Sequence, residues 1–450
     1  MYSNQDMKVV EGHTKSMALW DIPITDTAVQ GVHWVEYRPM SQITSASTLE
    51  FNVPNNGMNY IDLKRTRLMV KFKVVKGDGG DISSTLSEVA PLNLAHSTIF
   101  SQIDVLLQQK LITRLSPPHY AYKAYLDTLM LNSTGAKGSY LQNQFWHADS
   151  PGGHDIAGAD PPPPPGDDPS LVTSPPDNIG WTSRALQVRG SAEVQLEGGL
   201  HVDVMSTNRY LLNGVSLTVR CWQAPDAFRL MSYKTDADFK LVITDAVLKV
   251  AAVTVNPDVI LAHDHALRKS PALYPYLNTD FKSFSIAKGQ FSFSAENLYL
   301  GQVPSKMFCV LVPAVAYNGN YHRNPLNFLN CDVSYMSLKV DGKEMPSKAI
   351  ETNFEGGNYS DAYMSLCLTT DVYGNNFGNM IGLADYDKGF TVFGFDLDSQ
   401  HNTSFLPSSQ RGNCKLEVNF RTALKEPVNL IIYSKHPSCI KIDHSRGVFV

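Results

Sequence analysis

The sequence predicts an all-β chain made of two tandem eight-stranded antiparallel jelly rolls, a double jelly roll, with a few short helices in its loops. Three observations carry this expectation. Short runs of β-forming residues alternate in hydrophobicity and stop at turn-forming clusters, the pattern of half-buried antiparallel strands. At 450 residues the chain exceeds the size at which single hydrophobic cores stop growing, so two cores are expected. Finally, segments of the first half return in order in the second.

The return is clearest at residues 60–76, YIDLKRTRLMVKFKVVK. Leu68, Val70, Phe72 and Val74 alternate there with Met69, Lys71, Lys73 and Val75. Period two puts one set in a core and the lysines in solvent. Residues 299–314, YLGQVPSKMFCVLVPA, echo this stretch 239 positions later. Pro91-Leu92-Asn93-Leu94 recurs as Pro325-Leu326-Asn327-Phe328, and Ala124-Tyr125 as Ala362-Tyr363. Gly199-Leu200-His201-Val202 recurs as Gly389-Phe390-Thr391-Val392, and Leu217-Thr218-Val219 as Leu416-Glu417-Val418. The spacing drops between the Tyr125 and Gly199 echoes, which places extra residues in the first copy only. Residues 147–176 are packed with Pro, Gly and Asp and hold almost no large apolar side chains. Such a segment builds no core and is expected as an exposed loop.

In chain order, residues 1–30 read as a polar N-terminal arm. The first jelly roll spans 31–231, with a surface insertion at about 135–190. Leu49 to Val53 alternates before Pro54-Asn55-Asn56-Gly57 turns the chain. Gly77-Asp78-Gly79-Gly80 ends the 60–76 strand, and 99–112 reads as two strands across Gln108-Gln109-Lys110. Residues 116–130 form a helix: Ser116 can cap, Pro117 suits a first position, and Tyr122, Tyr125, Leu126 and Leu129 share one face. Strands follow at 192–196, 201–204 and 215–222, with Asn213-Gly214 a tight-turn signal. Residues 225–238 look like the join.

The second jelly roll is expected at 238–442, opening with the apolar run 239–254. A helix starts at Asn256-Pro257-Asp258 and stops at Arg268-Lys269 ahead of Pro271. Strands are expected at 281–293, 307–315, 333–340, 390–397, 416–421 and 428–433. Ile440 and Ile442 close the pattern before a tail at 443–450.

Composition excludes several functions. A net charge of −5, with no basic tail, argues against a polyanion binder and against direct sequence-specific nucleic-acid contact. The six cysteines, Cys221, Cys309, Cys331, Cys367, Cys414 and Cys439, form no CxxC pair. Zinc knuckles are therefore not expected, and reduced thiols are. The N-terminus holds no apolar run resembling a signal peptide, and no window approaches the ~20 apolar residues needed to cross a bilayer.

Candidate chemistry is thin. His263-Asp264-His265 resembles a metal-chelating pair, but it falls in the expected helix, where i and i+2 diverge, and the next glutamate is Glu296. His147, Asp149, His154, Asp155, Asp160, Asp167 and Asp168 supply ligand types without the register of a calcium loop. Arg65, Arg67, Lys71 and Lys73 read as one solvated or intersubunit strand face. There is no G-x-S-x-G elbow, Walker A loop or G-x-G-x-x-G. No catalytic, cofactor-binding or metal-binding residue is assigned, no cofactor is expected, and the chain is not expected to be an enzyme. The alternative is a carbohydrate-binding or adhesion protein, a fibre or spike, in which Trp146 and Trp181 stack sugars.

The stretches YIDLKRTRLMVKFKV, APLNLAHSTIFSQIDVLL, YAYKAYLDTLM and LHVDVMSTNRYLLNGVSLTVR resemble the double jelly-roll major capsid proteins of Polinton (Maverick) elements and related eukaryotic DNA viruses such as adintoviruses. The similarity runs from about residue 30 to 442. It implies a homotrimeric, hexon-like capsomer that tiles an icosahedral virion shell assembled inside a host cell, in nucleus or cytoplasm. Its implied partners are neighbouring capsomers and minor penton or cement proteins. The motifs are structural, so no active-site residue follows from them.

Overall fold

The structure, a computed structural model, describes residues 26–450 apart from 44–47, 56, 114, 116–117, 158–177 and 399–409. The strands of the first half are β1 (Val29–Tyr37), β2 (Leu49–Val53), β3 (Tyr60–Lys76), β4 (Val89–Pro91), β5 (Phe100–Leu107), β6 (Lys110–Leu111), β7 (Val194–Gly199), β8 (Leu217–Gln223), β9 (Leu230–Ser232) and β10 (Phe239–Val255). Those of the second are β11 (Ala272–Ile286), β12 (Ser292–Gln302), β13 (Lys306–Pro313), β14 (Val333–Val340), β15 (Lys343–Glu351), β16 (Phe393–Asp396), β17 (Arg411–Phe420), β18 (Val428–Ile442) and β19 (Val448–Phe449). Between them lie the helices α1 (Ala95–Thr98), α2 (His119–Leu131), α3 (Thr134–Lys137), α4 (Ile179–Val188), α5 (Asp226–Arg229), α6 (Pro257–Leu267), α7 (Ala314–Tyr317), α8 (Ser360–Thr369) and α9 (Leu383–Tyr386).

The strand pairings form the same pattern twice. The first unit has sheets β1-β10-β3-β7 and β2-β8-β5-β6; the second has β11-β18-β13-β16, which β19 extends, and β12-β17-β14-β15. The short strands β4 and β9 pair apart from the first barrel. Counted within each unit, the order is first-eighth-third-sixth in one sheet and second-seventh-fourth-fifth in the other. Two eight-stranded antiparallel jelly rolls stand in tandem, as the sequence predicts.

Four of the five echoes fall on equivalent places. Residues 68–70 and 307–309 lie in the third strands β3 and β13, although the start of that echo does not match, since Tyr60 opens β3 and Tyr299 lies in the second strand β12; Leu217 and Leu416 lie in the seventh strands β8 and β17. Pro91 and Pro325 precede the fourth strands, and Tyr125 and Tyr363 sit on α2 and α8, both between the fifth and sixth strands. The fifth echo misleads: Gly199 ends β7, whereas Gly389 precedes β16.

The division between units differs from the expected join at 225–238. Strand β10 is the eighth strand of the first unit, in antiparallel register with β3 from Phe239↔Lys76 to Val253↔Tyr60. Leu241, Leu248, Val250 and Val253 are buried in the first core. The connection is α6, capped by Asn256, whose side chain accepts from the Asp258 amide at 3.1 Å. An apolar run announces a strand, but periodicity does not reveal which strand it pairs with.

Local boundaries follow residue chemistry. On β3, Leu68, Val70, Phe72 and Val74 are fully buried while Lys71 and Lys73 reach solvent, each buried apolar side chain contributing about 1.5–3 kcal/mol. The expected 281–293 strand is two strands, β11 and β12, turned at Gly289, whose φ of 86° suits glycine. Residues 201–204 are not a strand, since Asp203–Ser206 is a single 3-10 turn. Helix α2 appears where expected; Ser116 and Pro117 lie outside the described residues. Helix α4 lies inside the expected insertion and was not anticipated.

Candidate functional site

The seam between the barrels is built on α2. This helix belongs to the first unit but packs into the second unit's core cluster. His119 stacks on Phe281 of β11 at 5.3 Å, and Tyr122 stacks on Tyr317 of α7 at 5.8 Å. Tyr125 meets Trp146 and Phe328. Between these rings lie four charges. Lys123 donates to Asp127 at 2.6 Å and pairs with Asp203 at 3.0 Å, and Lys435 of β18 lies 3.7 Å from Asp127. The Tyr433 hydroxyl donates to Asp127, and the Thr279 amide and hydroxyl donate to Asp203. Burial works against the Asp127 charge, but Lys123 and Lys435 outweigh it and hold the carboxyl below the usual range. Two cations and two carboxylates balance, which is what a buried ionic group requires.

A second polar centre pins residues 147–157. Arg184 of α4 is fully buried. Its guanidinium donates to the carbonyls of Pro91 and His147 and, at 2.7 Å, to Asp149. Asp149 also accepts from Asn178 and from Asn324 of the second unit, at 2.9 and 3.2 Å. Asp155 accepts from the Asn324 amide at 2.7 Å and pairs with Arg323 at 3.3 Å. The expectation that residues 147–176 are wholly exposed is therefore corrected at 147–157. Low hydrophobicity argues against an apolar core, but these polar residues bury themselves by bonding one another across the seam. Residues 158–177, with Asp160, Asp167 and Asp168, lie outside the described residues.

Lys137 ties the two units where several neighbouring apolar side chains are exposed. Lys137 of α3 donates to the carbonyls of Leu129 and Asn379, tying α2 and α3 of the first unit to the loop before α9 of the second. Burial lowers its amine to about 7. Around this tie Leu131, Tyr140, Leu368, Phe377, Met380 and Leu383 are exposed. They lie close in sequence to the residues of the tie or on the adjoining α8 and α9, and exposed apolar side chains carry meaning only where they are contiguous.

The residues singled out in the sequence resolve as follows. His263 Nδ1 lies 2.9 Å from the Tyr60 hydroxyl, and Asp264 pairs with Arg446 at 3.0 Å, so the helix spreads the His-Asp-His triplet over separate partners. Among the described residues no group of three or more His, Cys, Asp or Glu could hold a metal ion. Arg65 pairs with Asp62 and Arg67 with Glu197, while the Arg67 guanidinium lies 4.3 Å from the Trp34 ring. The two arginines of the stripe are thus countered by carboxylates, while Lys71 and Lys73 are half-exposed. Trp146 and Trp181 are buried, and the Trp181 indole donates to the Met231 carbonyl. Neither offers a face to a sugar. All six cysteines are free thiols. Among the described residues, no helix is long and apolar enough to cross a membrane.

No protein-family model matches the chain. An uncharacterized protein of Caenorhabditis elegans is 25% identical over 445 residues, covering 95% of this chain and 99% of that protein. Among solved structures, a chain of the Sputnik virophage cryo-EM structure aligns with a TM-score of 0.65 at 12% identity, over 98% of this chain and 93% of that one. The Faustovirus major capsid protein aligns with a TM-score of 0.56 at 10% identity, over 94% and 92%. The mavirus major capsid protein aligns with a TM-score of 0.51 at 12% identity, over 100% and 96%. At these identities the likeness establishes the double jelly-roll fold.

Proposed function

We propose that this chain is a structural major capsid protein whose homotrimers form pseudo-hexagonal capsomers of an icosahedral shell. The observation that carries the reading is the duplication. Three copies of a chain with two like-ordered barrels present six similar units around one axis, so one gene product makes a six-sided tile. The near-complete alignment with the Faustovirus and mavirus major capsid proteins supports it. Its chemistry is assembly rather than turnover: barrels joined by a polar seam supply the wall, and many weak lateral contacts sum by multivalency. Neighbouring capsomers and minor penton or cement proteins are its partners, and the capsid assembled inside the host cell is its location. The exposed apolar side chains flanking the Lys137 tie in both units are the candidates for such contacts.

The fibre or spike alternative loses the aromatic platform it relied on, because Trp146 and Trp181 are buried. The test is light scattering and negative-stain imaging of the purified chain. The expected result is the mass of three 49.8 kDa chains with a hexagonal outline. A monomer that binds glycans and forms no ring-shaped particle would reverse the assignment.

A further inference from the structure

A cavity of about 460 Å³ opens between the start of β3, the loop ahead of β8, the tail of α6 and the start of β11. That volume lies in the range of built binding sites, roughly 300–1,000 Å³. Tyr60, Leu212, Leu267, Pro271 and Tyr274 give it an apolar and aromatic wall. The polar tips of both tyrosines are already engaged. The Tyr60 hydroxyl lies 2.9 Å from His263 Nδ1. The Tyr274 hydroxyl accepts from the Leu212 amide at 3.2 Å and donates to the Tyr210 carbonyl at 3.0 Å. What the two side chains offer a guest is therefore ring rather than hydroxyl.

Charge at the cavity has one sign. Among the described residues no aspartate or glutamate lines it, and Arg209 is the one lysine or arginine that does. The Arg209 guanidinium donates to the carbonyl of Leu273, itself a lining residue, which fixes it at the wall. It has no carboxylate partner among the described residues, and the Asp264 carboxylate on α6 is taken by Arg446 at 3.0 Å. Its field reaches the aromatic wall: burial pushes the Tyr274 hydroxyl up to about 12, and Arg209 and Arg446 both work against that rise. A guanidinium with N–H groups to spare is a planar fork that fits a carboxylate. One such fork beside an apolar wall suits a guest with one anionic head and an apolar body.

We propose that this cavity binds a small apolar monocarboxylate of the medium-chain fatty acid type, with its carboxylate on the Arg209 guanidinium and its hydrocarbon body between Tyr60, Leu267 and Tyr274. The occupant lies where the connection α6 meets β3 of the first unit and β11 of the second. This site goes beyond the capsid reading and does not depend on it.

Calorimetric titration of the full chain with octanoate and with 1-octanol tests it, since the two share a chain length and differ in charge. Octanoate is expected to bind with submillimolar affinity. The alcohol should bind at least about tenfold more weakly, as befits the loss of a hydrogen bond between charged groups. Arg209→Gln, a change at an exposed side chain, should erase that preference. Ala266 is exposed and lines the cavity, so Ala266→Trp fills the space without disturbing the core and should abolish binding of both compounds at an unchanged melting temperature. No octanoate binding at millimolar concentration, equal affinity for acid and alcohol, a preference that survives Arg209→Gln, or parental octanoate binding by Ala266→Trp would each overturn the assignment.

Discussion

At the residue scale the chain stakes most on buried charge. Arg184 and Asp149 are both fully buried and neutralise each other. Truncating one partner strands the other in a medium that cannot solvate it. Arg184→Ala is expected to cost about 3–5 kcal/mol, read by urea unfolding; a loss below about 1 kcal/mol would show that the centre does not hold the seam. The buried imidazoles define a pH window. Burial lowers His96, His119, His201 and His436 to about 4. The folded state therefore binds fewer protons than the unfolded state between about pH 6.5 and 4. Stability is present above that window and falls as pH drops through it, by on the order of 1–3 kcal/mol per imidazole. Melting temperatures should be markedly lower at pH 4.5 than at pH 7.5, and a flat profile would contradict the burial.

At the element scale, α2 joins the units. Its tyrosines bury large rings against the second barrel, so Tyr125→Ala should cost about 3–5 kcal/mol, as other large aromatic truncations do. The segment between the fifth and sixth strands of the first unit splits into two behaviours. Residues 149–156 carry the Asp149 and Asp155 bonds to both units. Replacing Asp149 and Asp155 together by alanine should lower the melting temperature, whereas deleting the Pro-rich residues 161–175 should leave it within a few degrees, since that run offers almost no apolar side chains to a core. Comparable losses from both changes would refute the division. The helix prediction at 116–130 succeeded because its apolar spacing is regular. Helix α4 was missed because Gly180, Thr182 and Ser183 break the propensity pattern. It forms because Trp181 and Arg184 have tertiary partners, and packing overrides local preference.

At the scale of the whole molecule, the two barrels are not independent beads. The second core cluster includes Tyr122, Tyr125, Leu126 and Leu129 from the first unit. Residues 272–442 expressed alone would expose the surface those side chains cover. They are expected to aggregate or bind a hydrophobic dye, whereas the full chain does not; a soluble, cooperatively melting fragment would show that the seam is dispensable. The duplication was legible because a third strand such as β3 or β13 needs the same alternation wherever it occurs. The unit boundary was not, because the apolar run that forms β10 reads the same whichever barrel it joins, and its pairing partner is chosen by register.

Local pattern alone determined the strand-rich class, the two-fold plan, the places of α2 and α6 and the lengthened connection in the first copy, but neither α4 nor α8. Each follows from side-chain period or turn chemistry within a short window. Tertiary structure alone decided that the apolar run at 239–255 completes the first barrel, that a polar stretch around Asp149 is buried, and that the two tryptophans face inward. Those outcomes depend on partners far apart in sequence: a hydrogen bond or ion pair makes burial favourable only when its second half arrives, and no local window contains both halves.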